Sequence, residues 1–257
     1  MIFAPIIDAL GLPPDARVDQ RVPKKLLLDQ GVPTAADKRQ IQDGIEDMHW
    51  IAALKPTNIG VPDYRDAVRE YLEIAILTVS FRQAAKPTRL IELIHRAIPY
   101  PVVLLSGQSE KVSLSLAHKR WSQGEAGKVV IEDIRRTSPL NMEALDAQEA
   151  QFLSSLALST LPAADLFVLY QAWIDRLAGL EAASITGSFT LPTSAEHSTI
   201  LRDGLANHAR LQYELTTLRN QAAKEKQLNR RVELNMTIKR LEAELAELKT
   251  TLSPNRA

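Results

Sequence analysis

From Leu211 the apolar residues Leu211, Leu215, Leu218 and Ala222 recur at intervals of four, three and four. Near the end of the chain Ile238, Leu241, Leu245, Leu248 and Leu252 recur at three, four, three and four. Both are the rhythm of a coiled-coil seam. A helix of this kind, apolar along one stripe and polar elsewhere, is unstable until a second helix covers the stripe. The two runs are not in one frame: continuing the first puts Met236 where the second has Ile238. The seam therefore breaks between about Glu225 and Val232, where Glu, Asn and Arg occupy the would-be core positions. At about 1.5 Å per residue an unbroken helix from Leu211 to Leu252 reaches about 60 Å. The covering helix comes from another copy, from another protein, or from this chain folded back.

Upstream of the seam, residues 185–195 read as a linker rich in turn formers. Thr193-Ser194-Ala195-Glu196 matches the capping-box pattern and opens a coiled-coil arm over 196–252, with 253–257 as a tail. Residues 139–184 read as a helical section packed on the body. In it Leu145, Phe152, Leu153 and Leu156 suggest one helix, and Pro162 the first turn of another carrying Leu166, Leu169, Tyr170, Trp173, Leu177 and Leu180.

Residues 1–138 mix helix with strand. Five prolines in the first 33 residues, Pro5, Pro13, Pro14, Pro23 and Pro33, keep regular elements short there. Thr34 offers an N-cap with Asp37 three residues on, and Ile41, Ile45, Met48 and Ala52 continue at helical spacing to Lys55-Pro56. That predicts one helix of about four turns. Tyr71–Phe81 and Val102–Leu105 read as strands covered on both faces, with a helix from Pro87 to Ala97 between them. Ser106–Ser109 reads as a turn, Val112–Lys119 alternates as a half-buried strand, and Lys128–Ile134 reads as another strand after a Gly124–Gly127 turn. The expected fold is α+β: a mixed β-sheet with packed helices, then a helical section and a C-terminal coiled-coil helix.

Composition narrows the chemistry. Without cysteine the chain has no disulfide, no cysteine-ligated zinc and no thiol nucleophile. No run approaches the roughly 20 apolar residues of a membrane helix. The apolar start, Met1–Leu12, lacks a basic leader and a cleavage pattern, so a cytoplasmic protein without a membrane partner is expected. GxGxxG, Walker A, GxSxG and HExxH are absent, and His49, His95, His118, His197 and His208 are scattered without metal-ligand spacing. No cofactor or resident metal is expected.

Two places hold weaker signals. Glu73 lies inside an otherwise apolar strand, where a carboxylate must be paired, metal-bound or turned outward. One reading is a nuclease-type site in which Glu73, Glu92 or Asp133 holds a divalent metal and Lys119 assists. Against it, the chain lacks an Asp followed by an acidic-x-Lys triplet on adjacent strands; the alternative is a rim glutamate paired with Lys or Arg. Basic residues form two groups. Lys24-Lys25 and His118-Lys119-Arg120-Trp121 either face phosphate or are solvated. Between Arg219 and Arg240, seven cations, among them Lys224, Lys226, Arg230 and Arg231, stand against two glutamates. That block can track a nucleic-acid backbone, pair with the acidic Glu242, Glu244 and Glu247 of a neighbouring helix, or be a plain solvated face. The overall charge of zero is thus a cancellation: residues 196–257 carry +3 and residues 1–195 carry −3.

The stretches Val22-Pro23-Lys24-Lys25, Trp50…Leu54-Lys55-Pro56-Thr57, Ala97-Ile98-Pro99-Tyr100-Pro101, Ala117-His118-Lys119 and Glu225–Asn235 resemble a bacterial family, domain of unknown function 4391. The resemblance runs from about residue 20 to 250. The chain departs from the family at His118, where members usually carry an aromatic, which weakens any role tied to a tyrosine there. The resemblance implies a small partner of DNA-modification and helicase genes in defence-type clusters. The leading expectation is therefore a non-catalytic accessory or assembly subunit of a defence-type complex that oligomerises through its C-terminal coiled coil, as a homo-oligomer or with a helicase- or methyltransferase-type protein. The alternatives are a metal-dependent nuclease built on Glu73 and Lys119, and a DNA-binding module using the basic arm.

Overall fold

The computed structural model describes residues 2–30, 34–125 and 128–253. The end of the Gly124–Gly127 turn and residues 254–257 of the tail lie outside the described residues. The chain divides into two compact units, 1–177 and 178–257.

The proline-rich start forms only short pieces: α1 (Ala4–Ala9), a 3-10 turn at Pro14–Ala16, β1 (Arg17–Arg21) and α2 (Lys25–Gln30). Next comes α3 (Ala35–Gly44), whose capping box is complete: Asp37 N donates to Thr34 Oγ1, and Thr34 N donates to Asp37 Oδ2, each at 3.2 Å. The expected four-turn helix is not formed. It stops at Gly44, and β2 (Ile45–Leu54) follows directly. The ladder register of β2 shifts between Ile45 and Asp47 and again between Trp50 and Ala52. Each bulge adds a residue and changes which face the next side chain meets. Ile45, Met48 and Ile51 are therefore all buried at intervals of three, which imitates helical spacing.

A one-turn helix α4 (Pro56–Ile59) and a small hairpin, β3 (Tyr64–Arg65) with β4 (Glu70–Tyr71), lead into β5 (Ile74–Phe81). The stretch expected as one strand from Tyr71 is thus two, with Glu73 between them. The predicted helix α5 (Pro87–Ala97) crosses to β6 (Val102–Gln108), which runs parallel to β5. β7 (Lys111–Trp121) and β8 (Val129–Arg136) continue antiparallel, and β9 (Leu140–Asn141) pairs with the start of β7. The sheet order is β1-β2-β5-β6-β7-β8, and β5/β6 is its parallel pair.

Two expectations in this region are corrected. Ser106–Gln108 is strand, and the reversal falls at Ser109-Glu110, with Ser109 at φ 59°. Gly107 sits inside β6 because the N-terminal segment crosses there: a Cβ on it would lie 2.5 Å from Ile2 Cδ1 and 2.8 Å from Phe3 Cζ. In addition, β7 is not half exposed, since every residue from Val112 to Ala117 is buried. Its alternate positions, Ser113, Ser115 and Ala117, are small because α5 lies over them, and His95 of α5 meets Ser115 Oγ at 3.1 Å.

One core fills the space between this face of the sheet and α2, α3 and α5, with Leu27, Ile41, Leu90 and Ile94 meeting Leu77, Val79 and Leu104. On the opposite face α6 (Ala147–Ser155) and the first half of α7 (Leu166–Thr186) supply fully buried Phe152, Tyr170 and Trp173. Pro162 precedes α7 rather than opening it; Asp165 caps the helix, its Oδ1 accepting from Val168 N at 2.8 Å.

In the second unit, α8 (Ala195–Lys224) and α9 (Leu228–Leu252) form an antiparallel hairpin joined by Glu225-Lys226-Gln227. The cap of α8 is Ser194, which accepts from His197 N, one residue later than the predicted box. Leu211, Leu215 and Ala222 pack against Ile238, Leu241 and Leu245, with Leu218 and Leu248 alongside. The seam thus closes within one chain, and the frame slip is the turn. Further along, Leu205 and Leu252 pack with Ala178 and Ala182, and Gly204 admits Leu252 where a Cβ would be 2.7 Å from its Cδ2.

Candidate functional site

Two of the lysines in the quoted stretches do the same job. A helix leaves its last carbonyl groups without partners and carries partial negative charge at that end. Lys24, just before α2, donates through Nζ to Gln42 O at 3.1 Å and to Ile45 O, closing the end of α3. Lys119, on β7, donates to His95 O at 2.8 Å and to Ile98 O, closing the end of α5. Lys119 is 3% exposed, and burial pulls its ammonium down to about 7. His95 is fully buried beside it, held neutral with its imidazole down at about 3, and its Nδ1 has no hydrogen-bond partner among the described residues. Pro99 and Pro101 then stop α5, and Pro101 O accepts from Ala75 N at 2.9 Å.

The Leu54-Lys55-Pro56-Thr57 stretch is also a capping device. Lys55 N donates to Asn58 Oδ1 at 2.8 Å, Pro56 occupies the first helical position, and Gly60 at φ 68° ends the turn. Lys55 Nζ lies 3.2 Å from Glu73 Oε2. Glu73 is therefore buried and paired at the start of β5. The structure does not join Glu73 to Lys119, whose ammonium is taken by backbone carbonyls. Of the other suggested ligands, Glu92 is held by Arg89 and Arg96, each at 2.8 Å, and Asp133 by Arg135 at 3.0 Å. Among the described residues no group of three or more His, Asp or Glu side chains is placed to hold a metal ion.

His118 projects to the opposite face of β7. Tyr71 hydroxyl and His118 Nδ1 are 2.5 Å apart, His118 Nε2 and Gln171 Oε1 are 2.8 Å apart, and Gln171 Nε2 donates to Asp175 Oδ1 at 2.8 Å. This network assigns the Nε2–H tautomer to His118. Rings of Tyr64, Tyr71, His118, Phe167 and Tyr170 pack around it, with the Arg69 guanidinium 5.1 Å from the Phe167 centroid. Burial pushes the Tyr71 hydroxyl well above its ordinary range. Tyr71 is buried, His118, Gln171 and Asp175 are half-buried, and the groups satisfy one another, so the chain fixes α7 on the sheet. Its signal in the sequence was His118 alone; the partners Tyr71, Gln171 and Asp175 come from elements distant along the chain.

At the hairpin turn the geometry is different. Lys224, Lys226, Arg230 and Arg231 are exposed, and Arg230 Nε reaches Glu225 Oε2 at 3.6 Å. Beside them on α9, Leu228, Val232 and Met236 are 63%, 49% and 68% exposed. Their spacing of four places them along one stripe of the helix. Nearer the middle of the hairpin, Arg219 of α8 pairs with Glu242 of α9 at 2.7 Å, so part of the basic block does meet the acidic one.

Elsewhere, a cavity of about 810 Å³ opens at the carboxyl ends of β5 and β6. Its residues lie on separate elements and make no motif, so periodicity could not reveal it. No helix among the described residues is long and apolar enough to cross a membrane. Comparison with curated proteins and with solved structures finds no match. The family model described as "Domain of unknown function (DUF4391)" matches residues 10–245, nearly the whole chain, and the protein belongs to that family.

Proposed function

We propose that the protein is a non-catalytic accessory or assembly subunit, docking through the turn end of its helical hairpin onto a larger helicase- or methyltransferase-type partner. The carrying observation is the exposed apolar stripe of Leu228, Val232 and Met236 flanked by Lys224, Lys226, Arg230 and Arg231. Exposed apolar side chains repeated along one helix, ringed by charge, suit burial against another protein. The defence-type setting is what family resemblance implies. The seam itself is filled within the chain, so contact with a second copy or a partner falls to this outer stripe. The groups on which a nuclease would rest, Glu73 and Lys119, are engaged in an ion pair and a helix cap.

The test is purification of the tagged chain from its native host, beside a Leu228→Glu/Met236→Glu variant. A helicase- or methyltransferase-type protein should accompany the wild type and be lost from the variant. A wild type that purifies alone, or a variant that keeps the partner, overturns the proposal. So does magnesium- or manganese-dependent cleavage of DNA or RNA that Glu73→Ala abolishes.

The basic residues also support nucleic-acid contact as a second reading. It expects binding that weakens steeply with salt. Unchanged affinity after Lys226, Arg230 and Arg231 are replaced by Glu would sink it.

A further inference from the structure

The cavity of about 810 Å³ lies on the α5 face of the sheet, beyond the last residues of the parallel strands β5 and β6. In sheets with parallel strands joined through a helix, the carboxyl ends are where ligands gather, because the crossover leaves a crevice there. The volume is that of an ordinary small-molecule site. Phe81, Ile91 and Pro139 give it apolar walls.

Its polar groups share one character. Arg136, paired in the ladder with Ser115, reaches over to α5, where its Nη1 donates to Thr88 Oγ1 at 3.2 Å. Neither Arg136 nor Lys111 forms an ion pair with any described residue, and both line the cavity. Glu110 is the carboxylate among the lining residues, so the rim carries a net positive charge. The first turn of α5 has no capping side chain, and its Thr88 lines the same space. Independently, Ser113 is nine-tenths buried, lines the cavity, and its hydroxyl has no hydrogen-bond partner among the described residues. The hydroxyl oxygen itself is open to the cavity, free to meet a ligand there.

We propose that this cavity binds a small phosphorylated compound of mononucleotide size, its phosphate held by Arg136, Lys111, the Ser113 hydroxyl and the open first turn of α5. Guanidinium and ammonium groups, a hydroxyl donor and helix N-terminal amides together match a phosphate's charge and its several acceptor oxygens. The apolar walls receive the rest of the molecule. This site is separate from the hairpin stripe, and its failure leaves the docking proposal untouched.

Calorimetric titration of the full chain with AMP, adenosine and inorganic phosphate tests it. AMP should saturate with a Kd below about 1 mM, adenosine should bind about tenfold more weakly or not at all, and phosphate should compete with AMP. Arg136→Gln and Lys111→Gln should each weaken AMP by about tenfold, the loss expected for one charge-assisted contact. Lys111 is exposed at the start of β7, so Lys111→Gln leaves the core intact and keeps the test valid if Arg136→Gln unfolds. Absence of saturable AMP binding, adenosine binding as tightly as AMP, or unchanged AMP affinity in Lys111→Gln overturns the proposal. Tight binding of a 5′-phosphorylated oligonucleotide without binding of AMP overturns it as well, moving the site to nucleic-acid ends.

Discussion

Leu241→Ala offers a direct test of the closed seam. Leu241 is 2% exposed among Leu211, Leu215, Ile238 and Leu245, so truncation removes a nearly complete set of contacts. Buried Leu→Ala changes destabilise by about 2–5 kcal/mol, depending on how far the site can collapse. Two helices with water on both sides can relax toward each other, which places the expected loss at the lower end, about 2–3 kcal/mol. With a urea slope of about 1 kcal/mol per M for a unit this small, the unfolding midpoint should fall by about 2–3 M. Hydrogen exchange across α8 and α9 should show the same loss locally. Met236→Ala, at a side chain 68% exposed, should move the midpoint little, within about 0.5 kcal/mol. The decisive measurement is the wild-type midpoint at two protein concentrations a hundredfold apart. A seam closed within the chain gives one value. A seam closed between copies gains about 2.7 kcal/mol from that dilution ratio, and a midpoint rising accordingly would refute the hairpin.

Other outcomes can be read with the same equipment. Gly179→Ala should destabilise, against the gain of about 1 kcal/mol that helix propensity alone predicts, because its Cβ would lie 2.8 Å from Thr190 O; a stabilised variant refutes that close approach. Lys119 is pulled from 10.5 to about 7 on folding, so the unfolded chain binds more protons between those values and stability should rise with pH across them. The slope approaches about 1.4 kcal/mol per pH unit where the two states differ by a whole proton, and a Lys119→Met variant should lack it. Equal pH profiles for the two proteins would show that burial does not depress this lysine. His95, neutral down to about 3 when folded against 6.5, should make the protein lose stability as pH falls from 6.5 toward 3. His95→Gln should lessen that loss, and an unchanged acid profile in urea titrations would count against it.

The parts of the fold readable from sequence are those written in a single period. The seam residues follow a heptad within each of two runs, Leu211–Ala222 and Ile238–Leu252, and the α5 stripe follows a plain helical repeat, so both were legible. Residues 45–54 were not, because the bulges of β2 respace Ile45, Met48 and Ile51 to a helical interval. Ser106-Gly107 resembles a turn in composition, yet the glycine serves the passage of Ile2 and Phe3 across β6. The identity of the seam's partner was not legible either: a slip of two residues marks a break but not the direction the chain takes after it. Lys24 and Lys119 showed a charge beside a proline or a strand end. That each would spend it on helix carbonyls depended on α3 and α5, which pack against them from elsewhere in the sequence. The phosphate-type cavity left no trace because Thr88, Ser113 and Arg136 converge only through the β5–α5–β6 crossover and the strands beside it.

The connection Glu225-Lys226-Gln227 has a kinetic consequence. Closing it brings α8 against α9 with three intervening residues, so the seam forms almost without loop-closure entropy. The sheet, by contrast, must bring β1 to β2 and β9 back to β7 across much longer stretches of chain. Low contact order speeds folding, and long-range strand pairing slows it. After dilution from denaturant the hairpin should therefore recover its helical signal and exchange protection well before the sheet does. A chain whose sheet is still assembling, or is damaged by mutation, would already present the stripe of Leu228, Val232 and Met236, so a partner could meet the arm before the rest of the molecule is native.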